Sequence, residues 1–314
     1  MKNKKVFVSG GSGFIGSHLV DRLVDNGYVV TVYDNLSSGK REFLEKHFKN
    51  STFKFIQADL LDIETLKKSI IGNDIVFHLA ANPDIRYGIE YTDTDLKQNT
   101  IATYNILESM RCAGIKQIAF SSTSAIYGEP KIIPTPEDYG PLFPISLYGA
   151  SKLACEALIT SFCHTFDMRS WIFRFANIVG GRGTHGILFD FIRKLKVSSD
   201  RLEILGDGKQ QKSYLLVDDC VDAILFIVDN SSSPVSVYNL GSGDFIDITS
   251  IAKILLKEKE LESTTLEFTG GDRGWPGDVP KMALDVSKLN NFGWKSKYSS
   301  KEAISIAVKR MLSE

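Results

Sequence analysis

Two residues near the middle of the chain could carry out acid–base chemistry. Tyr148 and Lys152, in the segment YGASK, are four residues apart and so share one face of a helix. A tyrosine has a pKa of about 10 and is a poor base at neutral pH. A nearby ammonium group stabilises the phenolate and lowers that pKa. The pair predicts a tyrosine base with a lysine partner, although a solvated tyrosine and lysine on a helix surface have the same spacing.

A second segment, FSSTSAIYG at positions 120–128, offers hydroxyl groups at the end of an apolar run. Ligands of open parallel sheets bind outside the carboxyl ends of the strands. The hydroxyl groups of this segment are therefore expected at the edge of the sheet where a ligand binds.

Glycines follow the first apolar run, in VSGGSGFIGSHL. Gly10, Gly13 and Gly16 are three apart, and Gly11, Gly13 and Gly16 match the spacing G-x-G-x-x-G. Such a turn between a strand and a helix brings backbone N–H groups close to a pyrophosphate. An ordinary glycine-rich turn is the alternative, and the surrounding elements must decide between the two.

Short β-rich runs alternate with longer helical patterns in the first half of the chain. Continuous apolar strands suit a parallel sheet that is covered on both faces. Strands are predicted at 4–10, 28–34, 52–59, 74–81, 115–122 and 169–175, and helices at 14–26, 64–71, 96–112 and 147–166. This rhythm predicts an α/β fold with a doubly wound parallel sheet, a Rossmann fold. We expect residues 1–176 to form the dinucleotide-binding domain, and 177–314 mainly a smaller α/β substrate-binding lobe that returns late strands to the sheet.

This arrangement favours the dinucleotide interpretation of the glycines. Asp34 ends the second predicted strand, about 20 residues further on, where a carboxylate accepts the adenosine ribose hydroxyls. A carboxylate there repels a 2′-phosphate, so NAD is favoured over NADP. Oxidised nicotinamide would also add a second positive charge beside Tyr148. Asp34 could instead only cap a turn.

Composition excludes several classes of protein. The 314 residues carry a net charge of −1 and are 43% hydrophobic. We therefore expect a large core, and we expect neither a nucleic-acid-binding face nor a polybasic membrane anchor. Four cysteines without C-x-x-C spacing and five scattered histidines predict reduced thiols and no metal site. The short apolar start resembles neither a signal peptide nor a membrane span, so a cytoplasmic location is expected.

The combined motifs resemble the extended short-chain dehydrogenase/reductases, and within them the UDP-glucose 4-epimerases and related nucleotide-sugar epimerases. The resemblance covers essentially the whole chain, through the glycine turn, ADLLD, HLAA, SSTSAIYG, YGASK, RFANIVGGR, LGDGKQQKSYLLVDD and GDRGWPGDVPKMALD. It implies that Thr123 hydrogen-bonds the sugar hydroxyl that is oxidised, that Tyr148 is the base, and that Lys152 orients the nicotinamide ribose.

The resemblance also implies a set of NAD contacts and a set of substrate contacts. The NAD-binding residues are Gly10, Gly13, Phe14, Ile15, Gly16, Asp34, Asn35, Leu36, Ser37, Ser38, Asp59, Leu60, Leu79, Ala80, Ala81, Asn99, Tyr148, Lys152 and Phe175. The substrate-binding residues are Thr123, Tyr148, Asn177, Lys212, Arg273 and Met282. A homodimer through the helices at 96–112 and 147–166 is implied in the same way.

Several positions depart from the best-known epimerases. Lys212 stands where an arginine is common, Ile187 replaces an asparagine of some members, and Arg273 is displaced from the usual arginine. A lysine holds phosphate without the bidentate geometry of arginine. Flexible Met282 leaves room beside the sugar C2 substituent, so both plain and N-acetylated UDP-hexoses are expected as substrates.

Together with this resemblance, the residues predict an NAD-dependent nucleotide-sugar 4-epimerase that acts on UDP-glucose and UDP-galactose or their N-acetyl forms. Related dehydratases place Asp-Glu after the threonine, where this chain has Ser124 and Ala125. Another nucleotide-sugar reductase or dehydratase, and a non-catalytic NAD-binding scaffold or sensor, are the alternatives.

Overall fold

The computed structural model describes residues 4–275 and 277–314. Its strands are β1 (Lys5–Ser9), β2 (Val29–Asp34), β3 (Phe53–Gln57), β4 (Ile75–His78), β5 (Gln117–Thr123), β6 (Arg169–Phe175), β7 (Asn177–Val179), β8 (Arg201–Ile204), β9 (Gln211–Lys212), β10 (Tyr214–Leu216), β11 (Val235–Leu240), β12 (Ile246–Asp247), β13 (Thr265–Phe268) and β14 (Lys281–Met282). Its α-helices are α1 (Phe14–Asp25), α2 (Ile63–Ile70), α3 (Tyr87–Glu90), α4 (Ala102–Ala113), α5 (Leu147–Phe166), α6 (Ile187–Val197), α7 (Val217–Asn230), α8 (Ile248–Glu258), α9 (Ser287–Phe292) and α10 (Ser300–Ser313).

The main sheet has seven parallel strands in the order β3-β2-β1-β4-β5-β6-β11. Its strands are nearly continuous apolar runs because helices cover both faces. One face packs on α1 and α7, and the opposite face on α2, α4 and α5. The doubly wound α/β prediction is confirmed.

The strand order reverses between β1 and β4, which are neighbours in the sheet. From β1 the next strands along the chain are added toward one edge of the sheet, and from β4 toward the other edge. A crevice opens at such a point, at the carboxyl ends of the strands. The glycine turn after β1 and the hydroxyl-rich end of β5 both lie at this edge.

A second core lies between α6, α8 and α10 and the short strands β8, β10 and β12. β8 pairs with β13, and β9 pairs with β12 and β14. Between these elements the chain returns to the main sheet as α7 and β11.

One predicted helix is wrong in part. A single α-helix over 96–112 is expected, whereas a π-helix over Leu96–Ile101 precedes α4 at Ala102. The wider turn coincides with a side-chain hydrogen bond from Asn99 to Asp95, inside a buried polar cluster, and π-turns are frequent at functional sites. The helix predicted at 64–71 begins one residue earlier, because Asp62 caps Thr65 N.

Candidate active site

The turn after β1 tolerates only glycine at two of its positions. Gly10 has φ of +73°, and a Cβ there would lie 2.5 Å from the backbone nitrogen of Ala80. A Cβ on Gly16 would lie 2.0 Å from the carbonyl oxygen of Gly10. The turn therefore packs closely against the chain after β4 and leaves the N-terminus of α1, which begins at Phe14, facing the crevice.

Asp34 lies at the end of β2 and is tied to the glycine turn. Its carboxylate accepts hydrogen bonds from Ser12 N at 2.9 Å and from Leu36 N at 2.8 Å. Burial raises the pKa of Asp34, while these backbone hydrogen bonds act in the opposite direction. Asp34 also borders the crevice, so a buried carboxylate meets any ligand that lies along the turn.

The crevice is a groove of about 1050 Å³. It is lined by every predicted NAD-binding residue except Leu36 and Asn99. Asn99 lies behind the wall, where its amide oxygen accepts from Asn82 N at 2.9 Å. The glycine-rich turn, the adjacent helix N-terminus and the Asp34 carboxylate fit a dinucleotide with a pyrophosphate and an adenosine ribose.

Several lining residues are absent from the sequence-based prediction: Tyr33, Gly39, Ala58, Asn82, Pro83, Gln98, Ser121, Ser122, Thr184 and His185. Most adjoin predicted residues along the chain, and extension of each motif by one or two positions would have found them. Thr184 and His185 belong to the loop after β7, and no spacing in the sequence links that loop to the glycine turn.

Lys152 and Tyr148 project from the first turns of α5 toward the end of β5. Ser146 caps this helix by accepting from Gly149 N at 3.0 Å. Lys152 is 2% exposed, and its Nζ donates to Ser121 O at 2.7 Å and lies 6.0 Å from the Tyr148 ring centroid. Burial lowers the pKa of Lys152 to about 8.

The pKa of Tyr148 is raised, whereas the sequence predicts that a nearby lysine lowers it. Burial raises it, the Asp95 carboxylate adds to that effect, and a hydrogen bond with the Thr123 side chain opposes it. The residues of the chain therefore do not lower this pKa by themselves, because burial outweighs the hydrogen bond with Thr123. A further cation at the site is needed to bring the phenol toward neutrality.

A second cavity, of about 1970 Å³, adjoins the groove. Five of the six residues predicted to contact the substrate line it, namely Thr123, Tyr148, Asn177, Lys212 and Met282. Their contact with a substrate stays a prediction. Residues that border both spaces form their common wall: Phe14, Ile15, Pro83, Ser122, Tyr148, Phe175 and His185. The Tyr148 side chain thus faces both cavities.

Two of the predicted cationic contacts have partners within the protein. Arg273 is not among the residues lining the cavity; it pairs with Glu129 and donates to Asp278 O at 3.1 Å. Lys212 pairs with Asp278, and its Nζ lies 4.9 Å from the ring centroid of Trp275. Lys212 is thus positioned to contact an anionic group in the second cavity. Arg273 could contact such a group only after its side chain leaves Glu129.

A buried polar network supports the end of β5 from behind. Arg174 on β6 forms a bidentate ion pair with Glu156 on α5, and both side chains are 8% exposed. Ser122, next to Thr123, donates to the same carboxylate. Arg174 Nη1 also donates to Tyr127 OH at 2.9 Å and Glu137 O at 2.7 Å. These bonds fix β5, α5 and β6 relative to one another.

Within residues 4–275 and 277–314, no group of three or more His, Cys, Asp and Glu side chains could hold a metal ion. No helix in the same part of the chain is long and apolar enough to span a membrane.

Comparisons with known proteins give one family. The family model described as "NAD dependent epimerase/dehydratase family" matches residues 6–241. A crystal structure of a UDP-galactose 4-epimerase superposes with a TM-score of 0.87 at 38% identity, covering 98% of both chains. A UDP-glucose 4-epimerase of Mycolicibacterium smegmatis is 33% identical over 70% of this chain and 72% of its own. UDP-glucuronic acid decarboxylase 2 of Arabidopsis thaliana is 30% identical over 98% of this chain and 68% of its own.

Proposed function

The chain belongs to the NAD dependent epimerase/dehydratase family, and from that premise we propose that it epimerises a nucleotide sugar at C4. The substrates we propose are UDP-glucose and UDP-galactose, or their N-acetyl forms. Bound NAD would accept a hydride from the sugar and return it to the opposite face. One observation carries the proposal: Tyr148 borders both a groove that fits a dinucleotide and a second cavity, with Lys152 lining the groove and Thr123 lining the cavity.

Each of these three side chains has a distinct task in the proposed reaction. The Tyr148 phenolate removes the proton of the C4 hydroxyl and later returns a proton to the 4-keto oxygen. The Thr123 hydroxyl holds that oxygen in place beside the phenol. Lys152 contributes a positive charge next to Tyr148 and lies within the dinucleotide groove, where it can hold the ribose on the nicotinamide side.

The diphosphate of the substrate is assigned to Asn177 and Lys212 in the second cavity. Lys212 would exchange part of its contact with Asp278 for phosphate oxygens. Arg273 joins them only if its side chain leaves Glu129. Met282, 6% exposed on β14, lines the same cavity, and acceptance of both plain and N-acetylated sugars stays a prediction.

The residues after Thr123 favour epimerisation over elimination. Loss of water across C5 and C6 needs an acid for the leaving hydroxyl and a base for the C5 proton. Ser124 and Ala125 line the cavity at this point, and neither can fill those roles. Reaction at C4 alone fits these side chains.

The function is tested by incubating the protein with UDP-, dTDP- and GDP-sugars in heavy water. We expect the C4 epimer of a UDP-hexose, without deuterium at C5. A stable 4-keto-6-deoxy sugar, deuterium at C5, or release of carbon dioxide from a UDP-uronic acid would assign the chain to a dehydratase or a decarboxylase. Binding of NAD without turnover of any sugar would favour a non-catalytic scaffold.

Asp34 should set the choice between NAD and NADP. We expect the protein to bind NAD at least about tenfold more tightly than NADP, a difference of about 1.4 kcal/mol, because the buried carboxylate accepts ribose hydroxyls and repels a 2′-phosphate. Asp34→Ala should remove most of that ratio, as measured by calorimetric titration with both cofactors. Asp59→Asn, a carboxylate change in the same groove, should retain it. Equal affinities in the unmutated protein would refute the assignment.

A homodimer is proposed through the outer face of the π-helix, α4 and the start of α5. Large apolar side chains are exposed on these elements and in the segment just before α5: Leu96, Ile101, Tyr104, Phe143, Ile145 and Leu147. Exposed apolar side chains in this number favour a protein interface.

A further inference from the structure

Asp95 is a buried acidic side chain that has no part in the proposed reaction. It is 1% exposed and directly precedes the π-helix. Its Oδ1 accepts from Asn82 Nδ2 at 3.0 Å and Asn99 Nδ2 at 3.2 Å. Its Oδ2 has no hydrogen-bond partner among the residues that the structure describes. Both donors are neutral amides, so neither neutralises the charge of the carboxylate.

The same cluster fixes Asp95 relative to the reacting residues. Asn99 Nδ2 also donates to Ser151 Oγ at 2.8 Å, and Ser151 Oγ donates to Tyr148 O at 2.8 Å. Ser151 is the residue before Lys152 on α5. Asp95 is therefore connected to the turn of α5 that carries both proposed reacting groups.

The charges of Asp95 and Lys152 act on each other. Burial lowers the pKa of Lys152, and Cys155, Asp95 and Glu156 act in the opposite direction. Burial raises the pKa of Asp95, and the two amide donors and the Lys152 ammonium favour its carboxylate form. The Asp95 charge also adds to the effect of burial in raising the pKa of Tyr148.

The other titratable groups around Lys152 do not supply a free negative charge. Glu156, on the same helix, is neutralised by the bidentate contact with Arg174 on β6. Burial raises the pKa of the Cys155 thiol, so the thiol stays protonated at neutral pH. His78 on β4 is uncharged, because burial lowers its pKa to about 3.

We propose that Asp95 is the counter-ion of Lys152: a positioning residue whose buried negative charge keeps the lysine protonated while the reaction runs. A lysine as deeply buried as Lys152 loses its proton readily without such a partner. The benefit has a cost, because the same charge opposes formation of the Tyr148 phenolate. Asp95 thus moves the titrations of both groups toward higher pH. Only the kinetic consequence of this inference depends on the proposed function.

Asp95→Asn tests the inference without turnover. The variant keeps an oxygen for the two amides, which also have other acceptors in Asp84 O and Ser151 Oγ, so the fold should survive. Protein labelled with ¹³C at the lysine ε-carbon is titrated by NMR, and the Lys152 signal is identified by its loss in Lys152→Met. With the negative charge gone, the ammonium form is less favoured, so Lys152 should titrate about one pH unit lower than in the unmutated protein.

The pH dependence of turnover supplies a second reading. The rate should fall at low pH as Tyr148 gains a proton and at high pH as Lys152 loses one. In Asp95→Asn both of these limbs should move to lower pH by about one unit, since Tyr148 and Lys152 each lose a nearby anion. A merely structural role would lower the rate at every pH and leave the limbs in place. Asp93→Asn removes an exposed carboxylate paired with Lys97 in the same segment and should move neither titration.

An unchanged Lys152 titration in Asp95→Asn would overturn the inference. If that variant does not fold, Asp95→Ser removes the charge with a smaller side chain and is judged by the same titration. A protein that shows no turnover but a shifted Lys152 signal would refute the proposed function and leave the counter-ion in place.

Discussion

Replacement of Tyr148 by phenylalanine should reduce turnover by about 10²–10⁴-fold, the usual contribution of a general base. The variant loses one oxygen atom, at the wall where the groove and the second cavity meet. Its ring still borders both spaces, so NAD and the nucleotide sugar should bind with nearly unchanged affinity. The loss should therefore appear in kcat rather than in KM, as measured by steady-state kinetics beside cofactor titration.

A tyrosine outside the candidate site provides the control for loss of a phenol oxygen in general. Tyr298 lies at the surface, 36% exposed, and Tyr298→Phe should leave both constants unchanged. A near-normal rate in Tyr148→Phe would remove Tyr148 from the mechanism. A rise in KM alone would make it a binding residue.

The second large effect is on stability. Arg174→Met should lower the free energy of unfolding by about 3–5 kcal/mol, because it leaves the Glu156 carboxylate buried without its cationic partner. Of the contacts described above, only the Ser122 hydroxyl would remain on that carboxylate. Urea unfolding at a fixed protein and cofactor concentration measures the change.

The exposed pair of Arg111 and Glu108 provides the control. Arg111→Met should cost much less than Arg174→Met, since these side chains are 42% and 21% exposed and water screens their charges. Adding Glu156→Gln to Arg174→Met removes the unpaired charge and should restore part of the loss. A single-variant loss no larger than that of Arg111→Met would show that the buried pair does not stabilise the fold.

Local patterns were sufficient to predict six of the seven strands of the main sheet and one side of the site. Asp34 follows a continuous apolar strand, and Gly10 and Gly16 stand where backbone approaches backbone within van der Waals distance. Tyr148 and Lys152 are neighbours on one helix, so their spacing alone puts them together. Each of these features depends on residues close in sequence or on strand ends that a parallel sheet brings to one edge.

Features formed by distant segments could not be predicted in the same way. His185 reaches the groove from the loop after β7, and Glu129 pairs with Arg273 across more than a hundred residues. The direction of the Tyr148 pKa depends on burial and on Asp95. Asp95 directly precedes a π-helix, which helical periodicity does not show. Such contacts are set by tertiary packing, which the spacing of one segment does not encode.

The return of the chain to the main sheet restricts how the protein can move. After β6 the chain enters the second core and comes back to the main sheet as α7 and β11. It leaves again for α8, packs Leu289 of α9 on the face of the main sheet that α1 and α7 cover, and ends in α10. Bending about a single hinge would have to displace all of these crossings together. We therefore expect little rigid-body closure of one half over the other when a ligand enters the second cavity.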